Sequence, residues 1–410
     1  MVTRTFSYAA LCIVFLFTCV LGAASYAQES HGFKYNNLTV SPYVNLEYAY
    51  DSNVDRNKAE TADSILSISP GVDLSYTGNE WGFSGNAWYG YDRYVAFPLL
   101  DETRYGESLS FYRESAKGWR VTLGQKFLRS SQNDSIIDGG QGLWRQRELF
   151  ELTASASYQL TEKTGITLTG LFSDLFYRND PTKYYDPNNL QPINLYGWQE
   201  YGMGLEVARK LTEKSNLLLS GNYTEYISDG STGAPAKTGD SSVGYSLMAG
   251  VGSRATERTS YHALMGMDMF TYGGGEKLSG WTYSLDANWI ISKKLAASIS
   301  GSSYFQPSER EANQAMQVYA LSTGLSYRPM RKLTTRFDVA FRREENAFDT
   351  TIPTTQTAST EDRYSARARA DYQLMRYVSL YCGLEYEEQM STAEQSFVRY
   401  RGSLGLSFRY

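Results

Sequence analysis

The stretch Arg399-Tyr-Arg-Gly-Ser-Leu-Gly-Leu-Ser-Phe-Arg-Tyr410 reads as one extended strand with two unlike faces. Side chains along a strand alternate sides. Tyr400, Leu404, Leu406, Phe408 and Tyr410 therefore share an apolar face, and Arg399, Arg401, Ser403, Ser407 and Arg409 share a wet, charged one. The same two-faced alternation recurs from residue 38 onward in stretches of roughly 13–16 residues. The fold depends on what the apolar face meets, a protein core or lipid.

The other end of the chain bears on that choice. Arg4 begins a positive n-region, Ala9 to Val20 is an apolar h-region, and Ser25-Tyr-Ala27 is a small-x-small cleavage site. The apolar stretch is too short for a membrane helix. Cleavage is expected after Ala27, and no Cys follows that would take a lipid anchor. The expected organisation is a secretory signal peptide (1–27), a short periplasmic N-terminal segment (28–37) and a single barrel (38–410). Removing 27 of 410 residues leaves 383, with Cys382 as the lone thiol, so an internal disulfide is excluded. The mature chain then has 38 basic and 44 acidic residues, a net charge of −6, which is no footprint for nucleic acid.

Between the alternating stretches, two kinds of connection take turns. The short ones fall at 78–80, 115–117, 161–163, 212–214, 256–258, 292–294, 329–331 and 375–376. Three follow one formula, Thr161-Glu-Lys163, Thr212-Glu-Lys214 and Thr256-Glu-Arg258, and Ser292-Lys-Lys294 is a loose fourth. The longer ones lie near 52–62, 96–101, 132–144, 180–197, 230–240, 273–278, 308–313, 347–360 and 391–395. Seventeen connections imply about 18 strands, and an even number places both termini on one side. The strands are more than twice the usual 5–6 residues of a soluble sheet. Trp81, Phe83, Tyr89 and Tyr91 in one strand, and Trp281, Tyr283 and Trp289 in another, put aromatics toward strand ends on the apolar face. Such rings prefer the headgroup level of a bilayer, where only closure leaves no sheet edge unpaired. The fold class is therefore all-β: a transmembrane antiparallel up-and-down β-barrel of about 18 strands (16–18). Short turns face the periplasm and longer loops face outside, and strand 396–410 pairs with strand 38–51. Pro42 and Pro70 interrupt good strands, where a bulge or frayed rim is expected.

The polar faces of the last four strands carry the sharpest pattern, and they are the candidate pore lining. They present Arg336, Asp338, Arg342 and Glu344, then Arg363, Arg367, Arg369 and Asp371, then Glu385 and Glu387, then Arg399 and Arg401. If each hairpin is symmetric about its connection, Arg336 faces Asp371, Asp338 faces Arg369, and Glu344 faces Arg363. Glu385 then lies between Arg367 and Arg401, and Glu387 beside Arg399. With Arg409, eight Arg oppose five carboxylates, a positive balance of three. One interpretation is a wet wall neutralised by its own charges. The other is a track for an anionic or heavily hydroxylated solute, since Arg forks suit carboxylates.

Nothing in the pattern points to catalysis. His31 lies before the barrel, and His262 shares a face with Ser260 and Asp268 at spacings too long for a direct triad. No His or Cys metal spacing is present, no cofactor motif appears, and Gly273-Gly-Gly275 reads as a loop, not a phosphate cradle.

A final strand that ends on an aromatic carboxy-terminus resembles the insertion signal of bacterial outer-membrane barrels, carried here by Tyr400, Leu404, Leu406, Phe408 and Tyr410. Val40-Ser-Pro-Tyr-Val-Asn-Leu-Glu-Tyr-Ala-Tyr-Asp-Ser-Asn-Val54, followed after a loop by Asp63-Ser-Ile-Leu-Ser-Ile-Ser-Pro-Gly-Val-Asp-Leu-Ser-Tyr76, resembles the opening hairpin of the putative β-barrel porin 2 family. Its Tyr-Asp-x-Asn-Val and Ser-Pro-Gly elements carry the resemblance. Members of that family often accompany loci for exopolysaccharide synthesis and export. The resemblance implies an integral protein of the Gram-negative outer membrane, inserted by the barrel-assembly machinery and surrounded by lipid and lipopolysaccharide. It implies polysaccharide and export-system proteins as partners, and no catalytic residues. Three functions stay open: a channel supporting exopolysaccharide export, a general diffusion porin constricted by loop 180–197, and a plugged structural barrel.

Overall fold

Long runs of period-two alternation satisfy their backbone by pairing with neighbouring strands. The computed structural model of the chain describes residues 32–56, 60–115, 118–134, 143–178, 197–228, 241–272, 276–307, 315–347, 360–392 and 396–410. The signal segment, the cleavage site, His31, Gly273–Gly275 and loop residues 180–196 lie outside them.

A three-residue strand, β1 (Phe33–Tyr35), precedes the barrel. The barrel begins with β2 (Leu38–Asp51), β3 (Asp63–Thr77), β4 (Trp81–Tyr94), β5 (Glu102–Glu114), β6 (Trp119–Asp134) and β7 (Leu143–Thr161). It continues with β8 (Thr164–Arg178), β9 (Trp198–Lys210), β10 (Ser215–Ser228), β11 (Ser241–Thr256), β12 (Thr259–Tyr272) and β13 (Glu276–Ser292). It ends with β14 (Leu295–Pro307), β15 (Ala315–Met330), β16 (Leu333–Ala347), β17 (Thr360–Met375), β18 (Val378–Ser391) and β19 (Phe397–Arg409). Each strand pairs antiparallel with the next. β19 pairs with β2 from Arg401↔Asp51 to Arg409↔Tyr43, which closes an 18-stranded barrel. Part of the expected N-terminal segment is also ordered: β1 folds back on β2, and Phe33 packs against Tyr410 with ring centroids 4.4 Å apart.

The repeated Thr-Glu-Lys formula is a turn device. The Thr161 hydroxyl accepts the backbone N–H groups of Lys163 and Thr164, and Thr212 does the same for Lys214 and Ser215. Thr256 accepts from Arg258 and Ser292 from Lys294. A hydroxyl that caps its own turn in this way makes a tight reversal cheap. These turns share one end of the barrel with the start of β2 and the end of β19, the periplasmic end of such folds.

The outward face is apolar. Leu109, Leu152, Leu247, Leu321 and Leu384 are exposed along its middle. Aromatic pairs flank that band. Tyr76–Trp81 and Tyr377–Tyr410 stack at the short-turn end, and Tyr105–Phe127, Tyr223–Tyr245, Phe341–Tyr364 and Tyr386–Tyr400 meet toward the loop end. These are the two girdles of an outer-membrane barrel.

The register corrects three expected pairs. Arg336 lies opposite Arg369, not Asp371; Asp338 opposite Arg367, not Arg369; and Glu344 opposite Glu361, not Arg363. β16 and β17 are joined by one of the long loops, and a long loop does not tie its midpoint to the ladder as a two-residue turn does. The slip is by an even number, so the faces are unchanged. Around Pro70 no bulge forms: β3 keeps one register with β4 on both sides, from Ile68↔Tyr91 to Gly71↔Trp88.

Most buried side chains point into the barrel near its loop end. One cluster joins Tyr226, Phe270, Tyr272, Phe305 and Ala315. Another joins Ala49, Val54, Ile65 and Tyr94 beneath the first loop. The wall itself bends at the first cluster. β13 and β14 stop pairing above Tyr283↔Ser303. Beyond that point the Phe305 N–H donates to Asp268 on β12, 3.2 Å away, and the Phe305 ring lies against Gly280 of β13. The upper end of β14 therefore crosses the inner face of β13.

Candidate functional site: the lumenal wall

One rung of the ladder runs Asp338↔Arg367↔Glu385↔Arg401↔Asp51 across β16, β17, β18, β19 and β2. Its side chains lie opposite the exposed outward residues Tyr364, Leu384 and Leu404, so they face the lumen. The remaining candidate residues, Arg336, Arg342, Glu344, Arg363, Arg369, Asp371, Glu387 and Arg399, share that parity. Outward Tyr400, Leu404, Phe408 and Tyr410 are all exposed, and Leu406 shares their face.

The pairing within this wall follows from the register. Arg367 reaches across to Glu385 at 2.8 Å, and Arg399 to Glu387 at 3.0 Å. Glu385 bonds only one of its two expected neighbours, because Arg401 reaches instead to Glu47 of β2 at 3.0 Å. Where β16 and β17 set like charges opposite each other, the cross-strand contact is unfavourable. There three of the four Arg turn along their own strand to a carboxylate two residues away. Arg369 takes Asp371 at 2.8 Å, Arg363 takes Glu361 at 2.9 Å, and Arg342 takes Glu344. Residues two apart on one face are about 6–7 Å apart along the strand, within an Arg's reach.

The expected positive balance is cancelled. Glu361 adds a carboxylate within the sector, and Glu47, Asp51 and Asp73 on β2 and β3 bind Arg401, Arg399 and Arg409. Sequence reasoning missed Glu47, Asp51 and Asp73 because it stopped at the last strands, and Glu361 because it sits at the very start of β17. The alternation of β2 already placed Glu47 and Asp51 on the polar face, and the expected closure placed that face beside β19.

Exposure changes along the lumen. The Arg367 and Arg369 side chains are 65% and 48% exposed, so this part of the wall meets water. Nearer the loop end Arg399 is 8% exposed and Asp51 2%. There Arg399 forks onto both oxygens of Asp51 while its third nitrogen holds Glu387, which Arg56 also approaches at 3.5 Å. Asn53 is fully buried and donates to the Val398 carbonyl. Asp63 accepts the backbone N–H groups of Ser64, Ala96 and Phe97. The Tyr-Asp-x-Asn-Val element is thus the latch of the β19–β2 seam. The Ser-Pro-Gly element serves the seam's other end. Gly71 leaves room for the Tyr43 ring, which a Cβ would strike; Arg409 lies over that ring at 4.9 Å and pairs with Asp73.

The opposite wall is rich in hydroxyls and amides and also carries the carboxylates Glu200, Glu206, Asp268 and Asp286. Asn222 donates to Ser246, and Ser300 pairs with Ser322. His262 joins Glu206 at 3.0 Å and lies opposite Asp286, away from the Ser260 and Asp268 of its own strand. Asp268 holds the Phe305 backbone instead. This wall also contains a recess of about 430 Å³ between β9 and β14, bounded by Trp198, Tyr226, Phe270 and Phe305.

The family model described as Putative beta-barrel porin 2 matches residues 228–410, which span β11 to β19. The family likeness read from the first hairpin is thus met by a match at the other end of the chain. No curated protein matches. Among solved structures, the FrpB iron transporter from Neisseria meningitidis (F5-1 variant) is 9% identical, with 92% of this chain and 83% of that chain covered and a TM-score of 0.47. The outer membrane protein opdK from Pseudomonas aeruginosa is 10% identical, with 90% and 99% covered and a TM-score of 0.42. The siderophore receptor PirA from Acinetobacter baumannii is 7% identical, with 94% and 81% covered and a TM-score of 0.46. At these scores the likeness carries no function to this chain.

Proposed function

We propose that this outer-membrane β-barrel is a channel that carries an exopolysaccharide chain across the outer membrane and does no chemistry on it. The observation that supports this most is the pairing of its two inner walls. On one side most Arg groups are held by carboxylates, and on the other hydroxyls and amides are dense and the charged groups are acidic. A long polyhydroxylated chain slides best where hydrogen-bonding groups are dense and no unpaired charge grips it; passage needs binding weak enough to release. The polysaccharide itself rests on the resemblance to the putative β-barrel porin 2 family. Export-system proteins would meet the periplasmic end, lipid and lipopolysaccharide the girdles, and the barrel-assembly machinery the last strand. A deletion strain tests the assignment. Loss of surface polysaccharide with intracellular synthesis unchanged is the expected outcome, restored by the gene in trans. Unchanged surface polysaccharide would overturn it. General diffusion of small solutes is the second reading, favoured by the water-exposed Arg367 and Arg369.

A further inference from the structure

The recess between β9 and β14 has the size of a small-molecule site, which typically spans about 300–1,000 Å³. Its end wall is the aromatic cluster. Phe270, Tyr226 and Phe305 are buried against one another, and Trp198 stands edge-on to Tyr226 at 6.5 Å while keeping a part-exposed ring. The inward bend of β14 makes the recess, and Gly280 makes the bend possible, because a Cβ there would stand 3.1 Å from the Phe305 ring.

The polar lining is of one kind. Asn222, Thr224, Ser246, Ser284 and Ser302 present amide and hydroxyl groups, and among the described residues no Lys or Arg lines the recess. The charged lining groups are two carboxylates. Asp268 spends an oxygen on the Phe305 backbone, and Glu200 accepts the Tyr226 hydroxyl. The nearest part of the charged wall is also neutralised: Arg342 reaches Tyr304 but is held by Glu344. Ser303 is the informative exception. It is 2% exposed, it lines the recess, and its Oγ has no hydrogen-bond partner. A buried hydroxyl without a partner costs about 1–3 kcal/mol, a cost that a bound hydroxyl or carbonyl would remove.

We propose that this recess binds a neutral sugar residue of a polysaccharide in transit. Hydroxyls, an amide and a carboxylate acceptor suit the equatorial hydroxyls of a sugar, and the part-exposed ring of Trp198 suits its C–H face. Two carboxylates and no basic lining residue disfavour a uronate. The site rests on the polysaccharide-channel reading and adds a sugar class and a place to it.

Purified barrel in planar bilayers tests it, with maltohexaose and an uncharged β-glucan hexasaccharide as neutral probes and hexagalacturonate as the acidic one. At least one neutral probe should block the current transiently, and the hexagalacturonate should block more weakly. Ser303→Ala should weaken the block about fivefold, the loss of one hydrogen bond, and Asn222→Leu about tenfold or more. Both variants should retain the heat-modifiable gel mobility of a folded barrel. Ser303→Ala removes an unpaired polar atom, so folding is not at risk. Block that is unchanged in both variants, stronger for the uronate, or absent for both neutral probes would overturn the site. The channel reading is separately exposed in the deletion strain. Sugar block with unchanged surface polysaccharide would keep the site and sink export; lost surface polysaccharide without block would do the reverse.

Discussion

At the scale of single residues, Arg399 carries the most consequence. It is buried between Asp51 and Glu387 and bonds both. Removing one member of a buried ion group strands the others, at a cost of about 3–5 kcal/mol. Arg399→Ala is therefore expected to lower the temperature at which the barrel loses its compact gel mobility. Adding Asp51→Asn and Glu387→Gln should restore part of that stability. Arg367 is the contrast. It bonds one partner and is mostly exposed, and exposed pairs contribute about 0–1 kcal/mol. Arg367→Gln should leave the unfolding temperature nearly unchanged. If both single variants lose stability equally, the burial gradient along the lumen is wrong.

At the scale of strands, most of the fold was legible. Turn chemistry marked the short connections, and period-two alternation marked the faces, so that Arg401 and Tyr400 point to opposite sides as their parity requires. Pairings near short connections, such as Arg367↔Glu385 across the β17–β18 turn, fell in register. The pairing of β16 with β17 did not, because a long loop leaves register to be set by side chains and by neighbouring strands. The bend of β14 was not legible either. It depends on Phe305 reaching Asp268 across an intervening strand, a contact with no local signature. The aromatic–glycine contacts lie between these cases. Gly405 is small because the Tyr381 ring lies against it, with the Tyr381 hydroxyl bound to Glu47 and Arg369 4.2 Å above the ring. Gly405→Val should impair assembly of the β18–β19–β2 seam, and Tyr381→Ala in the same chain should rescue it only in part, because the Leu46 carbonyl also lies 2.7 Å from a Cβ there, as read by the yield of heat-modifiable protein. Failure of the rescue would place the defect in backbone conformation, not in the ring.

At the scale of the whole molecule, the protein is a closed barrel with an apolar outside and a wet inside, and its Arg-rich wall is neutralised by neighbouring carboxylates. The expected excess of Arg on the last strands gave way once β2 and β3 supplied Glu47, Asp51 and Asp73. That change alters what the channel should prefer: a balanced wall selects weakly between ions. Removing Arg367 and Arg369 leaves Glu385 and Asp371 uncompensated. The wall then becomes acidic, and salt should weaken the resulting preference by screening. The most direct measurement is the reversal potential of purified protein in a planar bilayer under a salt gradient. Wild type is predicted to conduct with a small preference for cations, and Arg367→Gln/Arg369→Gln to shift the reversal potential further toward cations, more at low salt than at high. A barrel that does not conduct at any voltage, or whose selectivity is untouched by the double substitution, would contradict an open lumen lined by this wall.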